Sequence, residues 1–290
     1  MRICRFNDNR VGLVEADSVT DVTAALDTLP TVRWPVPKGD IFISNLDALA
    51  PQLEAARSGG DTFKLSDVTL LSPVANPGKI IAAPLNYVDH VKEVGQDAEI
   101  HHNTHSNKFE GYDTPIDKLG LFLKSSSSVV GTGEGVERLF PERRSDHEVE
   151  LALIVGKTGR NISEANALDH ICGYCIGLDM TVRGPEDRSM RKSADSYTVL
   201  GPFMVTADEI SNPSNLDMHI DVNDQRRQAT NTSLMTVGLR RLIALASTWY
   251  ELHPGDVILS GTPDGVGPVE PGDTMHSYIE GIGSMATTVR

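Results

Sequence analysis

The chain has 290 residues, of which 39% are hydrophobic and 23% charged, and a formal net charge of −14. No basic stretch is concentrated enough to follow phosphates, which excludes nucleic acid as a partner, and no apolar window approaches the ~20 residues of a membrane span. The cysteines Cys4, Cys172 and Cys175 are an odd set and no apolar signal segment precedes them, so the sequence reads as a soluble, cytoplasmic protein long enough to bury a large core.

Residues 1–70 read as a small N-terminal α+β domain. Met1–Phe6 and Val11–Glu15 flank the turn-forming Asn7-Asp-Asn-Arg10 and predict a hairpin, while Asp21–Leu26 and Asn45–Arg57 predict short helices. Residues 71–290 read as a second, larger domain. Val68–Leu71 and Lys79–Ala83 are strand-like, and Pro84-Leu-Asn-Tyr87 leads into a helix starting at Val88. The polar stretch 95–118 carries His101, His102 and His105 and is expected to be a surface loop that serves as an active-site lid. Leu119–Lys124 is a short strand; Gly131–Gly135 lacks the spacing of either phosphate-binding glycine motif and reads as a turn.

The organising stretch is Ser145–Val155. From Glu148 it alternates acid and apolar residues, then becomes wholly apolar, which is the pattern of a strand whose far end is buried. Ser163 is read as the N-cap of a helix over Ala165–Ile171, and residues 172–179 form an apolar run ending at Asp179. Cys172-Gly-Tyr-Cys175 has no second cysteine pair to complete a zinc site and reads as buried thiols. Asp217–Val222 and Gln225–Ala229 flank Asn223-Asp224 as a second hairpin. Leu234–Leu252 has helical apolar spacing, and Val257–Ser260 and Met275–Ile279 are strands launched by Pro-Gly-Asp turns. Strands outnumber helices, so the expected fold class is α+β, mainly β.

Glu148 and Glu150 project from one strand face, where like charges raise each other's proton affinity unless a cation such as Mg2+ joins them. A solvated face with two unrelated acids is the alternative from this stretch alone. A strand–helix–strand return would set Asp179 beside the pair. His90 and Glu93 share a helix face, so the glutamate can orient the imidazole as a general base. Arg183 and Lys192 lie among several cations soon after Asp179. Gly261–Gly267, with Thr262, is either an anion-holding loop or a simple turn.

From about residue 70 onward, ordered segments resemble the fumarylacetoacetate hydrolase superfamily. They are Leu85-Asn-Tyr-Val-Asp-His-Val-Lys-Glu93, His147-Glu-Val-Glu-Leu151, Gly177-Leu-Asp-Met-Thr-Val-Arg183, Arg191-Lys-Ser193, Leu200-Gly-Pro202 and Gly255–Gly267, preceded by Lys79-Ile-Ile. The resemblance implies a mixed β-sandwich roll, a homodimer, and Mg2+ (Mn2+ or Ca2+ in some members) held by Glu148, Glu150 and Asp179. It further implies that His90 and Glu93 activate water, that Lys192 stabilises a substrate enolate, and that Thr262 contacts substrate; Arg183, which could hold a carboxylate, and Tyr87 are further candidate substrate contacts. The interval from Asp179 to Lys192 is shorter than in many members. The fourth acidic ligand of the eukaryotic hydrolase has no counterpart, since Pro84 and Leu85 occupy its neighbourhood.

The implied activity is Mg2+-dependent hydrolysis of a carbon–carbon bond in a small β-diketo acid of the acylpyruvate or fumarylpyruvate type. The products are pyruvate or a related keto acid and a carboxylate. The same scaffold also suits an oxaloacetate decarboxylase, a 2-hydroxymuconate-type keto–enol isomerase, or a catalytically silent keto-acid-binding protein. The distal part of the substrate is expected to meet residues 95–118 and 183–191.

Overall fold

A computed structural model describes residues 1–96 and 113–290. The expected N-terminal hairpin is β1 (Arg2–Phe6) and β2 (Arg10–Glu15), extended by β3 (Ser18–Asp21) and β4 (Thr62–Lys64). Asn7 and Asn9 take φ of 47° and 65° in its turn, a conformation asparagine tolerates better than most residues. Short strands β5 (Leu70–Leu71), β6 (Ile80–Ala82), β7 (Phe122–Lys124), β8 (Val129–Gly131) and β9 (Ser145–His147) precede the long β10 (Val149–Val155). β11 (Ile171–Asp179) returns antiparallel to β10, followed by β12 (Thr181–Val182) and β13 (Thr198–Thr206). The remainder supplies β14 (Asp217–Val222), β15 (Gln225–Asn231), β16 (Val257–Leu259), β17 (Gly267–Pro268), β18 (Thr274–Ile279) and β19 (Gly283–Thr288).

Among the described residues these form a 12-stranded sheet, a 3-stranded sheet β12-β9-β17 and a 4-stranded sheet β15-β14-β18-β19. The large sheet runs β4-β3-β2-β1-β13-β11-β10-β16-β6-β7, with β5 paired to β1 and β8 to β13, so the N-terminal strands are continuous with the rest through β1 and β13. The architecture is mixed α+β and mostly strand, as the composition of elements implied.

β10 and β11 are buried on both faces because each face meets a different core. Val149, Leu151, Leu153 and Val155 point toward the 4-stranded sheet and the Leu239–Trp249 helix, which contributes Leu239, Leu242, Ile243 and Ala246 at helical spacing. Ala152 and Ile154 point the other way, toward Leu46, Leu49 and Leu53 of the Leu46–Arg57 helix. The helix expected from residue 234 begins at Leu239 instead. Its would-be first turn is bound to Asn86, which accepts from Thr236 N at 2.8 Å and from Val237 N at 2.8 Å. Cys172 and Cys175 are free thiols on β11, both pushed up to about 12 by burial, which disfavours thiolate chemistry. Among the described residues no helix is long and apolar enough to cross a membrane.

Asp256 fastens the turn that launches β16 beside β6. Fully buried, it accepts from Lys79 N at 2.9 Å and His253 N at 2.7 Å, and Lys79 Nζ lies 2.7 Å from it. Asp256→Ala strands these donors and is expected to lower stability by about 3–5 kcal/mol, read as a shifted urea midpoint at unchanged slope. A loss under about 1 kcal/mol would mean that water replaces the carboxylate.

Candidate active site

The strand anticipated across 145–155 breaks at Glu148. Before the break, β9 pairs with β12 in the small sheet; after it, β10 pairs with β11 in the large one. β11 passes to β12 at the same level, so both arms of one antiparallel ribbon bend together, and Asp179 N donates to Glu148 O at 2.9 Å across the bend. The face of β10 carrying Ala152 and Ile154 thus turns acidic at its end, with Glu150 opposite Gly177. A Cβ on Gly177 would lie 2.7 Å from Cδ2 of Leu259, so a larger residue at this level of the sheet would need that side chain to shift. Glu148, Glu150 and Asp179 offer oxygens that all lie within 4.8 Å of one another, and all three are buried. They form a divalent-metal site.

Protein cations already lie against two of these acids. Lys192 Nζ donates to Glu148 Oε2 at 2.6 Å, Asp179 Oδ2 at 2.8 Å and Thr181 Oγ1 at 2.7 Å. Lys124 donates to Asp179 Oδ1 and to Tyr197 O. Arg183 spans Asp146 at 2.8 Å and Glu148 at 3.1 Å. Burial by itself would raise the Glu148 carboxyl, but Lys192, Arg183 and His90 outweigh it and hold it at about 2. Glu150 goes the opposite way: burial, then Asp179 and Glu148, push it well above the ordinary glutamate range. Its hydrogen bond from Gly261 N, 2.6 Å, does not offset that. A donor set of carboxylate oxygens with one member short of positive charge fits a hard dication such as Mg2+ or Mn2+.

His90 lines the same cavity, on the Val88–Gln96 helix. Its Nδ1 lies 2.8 Å from Glu93 Oε2, and Glu93 Oε1 accepts from Gly265 N at 2.9 Å. The glycine-rich loop therefore holds a protein carboxylate. Gly265 has φ +91°, and a Cβ there would meet Arg227 O at 2.0 Å. Thr262 donates to Val149 O at 3.0 Å and accepts from Gln228 Nε2 at 2.8 Å, which leaves it an acceptor toward the cavity.

Glu148, Glu150, Asp179, His90, Lys192, Arg183 and Thr262 all line this one cavity, which is open at its mouth. Glu93 stands behind His90. Tyr87 is not among the described residues that line the cavity; it is buried, its hydroxyl has no partner among the described residues, and burial with Glu150 nearby raises it. His101, His102, His105 and most of the anticipated lid lie outside the described residues.

Three positioning residues carried no chemical signal in the sequence. Lys124 ends an apolar strand. Gln228 sits in a hairpin, where it joins Thr262 to Val149 N, 3.0 Å away. Asn86 is fully buried and donates to Ser260 O at 2.8 Å and Val237 O at 3.0 Å, tying the start of the His90 helix to the Thr262 loop. Only Asn86 lay within a segment that carries the family resemblance; Lys124 and Gln228 fell in stretches read simply as strands.

A model of the fumarylacetoacetate (FAA) hydrolase C-terminal family matches residues 79–290. Maleylpyruvate hydrolase of Aquipseudomonas alcaligenes is 53% identical over 290 residues, covering 100% of this chain and 99% of that protein. The mitochondrial oxaloacetate tautomerase fahd2 of Xenopus laevis is 32% identical over 311 residues, covering 100% of this chain and 90% of the relative. The crystal structure of maleylpyruvate hydrolase from Sphingobium sp. SYK-6, in complex with manganese(II) ion and pyruvate, matches with a TM-score of 0.82 at 37% identity, over 100% and 98% of the two chains.

Because Glu150 is pushed upward and a cation requires the carboxylate, loading with Mn2+ is expected to release protons, more of them as the pH is lowered. The calorimetric enthalpy should then vary with the ionisation heat of the buffer. A raised carboxyl favours the metal-free fold at acid pH and loses that contribution as pH rises, so the thermal gain from Mn2+ should grow with pH. A buffer-independent enthalpy would show Glu150 already ionised.

Proposed function

The chain belongs to the fumarylacetoacetate hydrolase family, and from that premise we propose that it hydrolyses maleylpyruvate to maleate and pyruvate with Mg2+ or Mn2+. It is a metal-dependent hydrolase that cleaves a carbon–carbon bond of a β-diketo acid. The observation that carries the specific reading is the His90–Glu93 pair on the same cavity as the acid trio. A base aimed at bound water is needed for hydrolysis and superfluous for simple binding.

Glu148, Glu150 and Asp179 would hold the ion. When bound, it supplies a Lewis acid for the keto-acid oxygens and for charge that develops on them. Glu93 accepts the Nδ1 proton of His90 and so leaves Nε2 to take a proton from water. The water oxygen adds to the carbonyl carbon of the acyl group. The bond from that carbon to the methylene then breaks, and its electron pair passes to the departing pyruvate enolate. Lys192, held against Glu148 and Asp179, keeps positive charge beside that enolate. Return of the proton from His90 to the methylene carbon completes pyruvate, and the acyl group leaves as maleate.

The likeness to an oxaloacetate tautomerase supports a second reading, in which the same residues enolise a keto acid without water attack. Both readings take the active species to be a homodimer, checked by light scattering. His90→Ala is expected to lower kcat on maleylpyruvate by about 10²–10⁴-fold while the thermal shift with Mn2+ and oxalate is kept. Undiminished hydrolysis in this variant would remove the water-activating role. Faster oxaloacetate tautomerisation than maleylpyruvate hydrolysis by the unmodified enzyme would favour the second reading.

A further inference from the structure

The cavity holds more positive charge than its carboxylates occupy. Arg183 is bound to Asp146 and Glu148, Lys192 to Glu148 and Asp179, and Lys124 to Asp179. Arg188 and Arg191 line the same cavity, yet among the described residues neither forms an ion pair. The acids beside them in sequence are engaged elsewhere, Glu186 with Arg143 at 2.7 Å and Asp187 with Ser189 N at 2.8 Å.

Backbone carbonyls hold the two guanidinium groups instead. Arg188 Nη2 donates to Leu119 O at 3.0 Å; Arg191 donates through Nε to Glu186 O at 2.8 Å and through Nη1 to Val182 O at 3.1 Å. Each is thereby oriented with N–H groups to spare, and each is half-buried. The two stand three apart on the helical turn Arg188–Arg191, hence on one side of it, while Met190 between them is 72% exposed. The Phe122 ring lies 5.5 Å from the Arg188 guanidinium and 5.6 Å from Lys192 Nζ, so Arg188 stands one aromatic ring away from the acid site. A half-buried guanidinium without an anion lacks the partner that offsets its desolvation, and a planar carboxylate supplies it with two parallel hydrogen bonds.

We propose that Arg188 and Arg191 form the pocket for the distal carboxylate of the substrate, so that the enzyme selects acylpyruvates whose acyl group ends in a carboxylate. This rests on the hydrolase reading of the same cavity. It assigns the two arginines a part in specificity and leaves the bond-breaking step to His90 and the acid site.

The test compares maleylpyruvate with acetylpyruvate, which has a methyl group in place of the carboxyvinyl arm and so lacks the distal acid, using Arg188→Met and Arg191→Met with Mn2+. For each variant kcat/KM on maleylpyruvate should fall about 10–100-fold, mostly through KM, while acetylpyruvate stays within about 3-fold. Arg188→Lys should recover part of the loss. A parallel fall on both substrates would assign the arginines to bracing the loop and overturn the proposal, as would no fall on either. If the unmodified enzyme turns over neither keto acid, the hydrolase reading fails by itself. The pocket is then read by calorimetry with maleate on the Mn2+-loaded protein: binding lost in Arg188→Met supports it, and binding unchanged or absent throughout overturns it.

Discussion

Three carboxylates gathered at one buried corner impose the constraint that shapes the rest of this molecule. Removing each from water costs several kcal/mol unless charge of opposite sign or a proton accompanies it. The fold supplies charge to two of them, with Lys192 and Lys124 against Asp179 and Lys192 and Arg183 against Glu148, while burial and its acidic neighbours push Glu150 upward toward its protonated form. A dication at this corner would favour the ionised form of Glu150. That gives metal binding a built-in dependence on pH and explains how the trio survives burial.

The corner exists because a single ribbon, β9–β10 against β11–β12, crosses from a small sheet into a large one. The backbone bond from Asp179 N to Glu148 O holds the two arms in step at the crossing. The rest of the cavity is assembled around that bend by backbone in unusual conformations. Leu85 at φ 51° and Gly261 at φ +98° flank Asn86, and Gly265 presents its N–H to Glu93. General base, metal ligands and Thr262 loop are thus joined through buried hydrogen bonds, so displacement of one is felt by the others.

The named relatives act on small keto acids, one as a maleylpyruvate hydrolase and one as an oxaloacetate tautomerase, and one solved relative holds manganese(II) and pyruvate. In the proposed hydrolysis, water attack adds the demand for an oriented base, for which the Glu93-braced His90 is the candidate. Discrimination among acyl groups would add a demand for groups that touch the far end of the substrate, and the cations of residues 183–192 are the candidates. Of these, Arg183 and Lys192 face inward to the acids, whereas Arg188 and Arg191 carry hydrogen-bonding capacity that the described residues do not use.

Strand alternation at Glu148–Leu151, the apolar run into Asp179, and the i,i+3 spacing of His90 and Glu93 are local patterns. Local patterns suffice to place side chains on a strand face or helix face, so the acid trio, the dyad and the mainly β class were all legible in the sequence. Lys124, Gln228 and Asn86 were not, because each acts through partners far away in the chain: Asp179, Thr262 and Val237 respectively. For the same reason the glycine-rich loop offered no sign that it would bind Glu93. Which cations serve the acids and which stay open to a ligand depends on distances set only when the sheets close on one another, since a charge in a sequence carries no record of its partner.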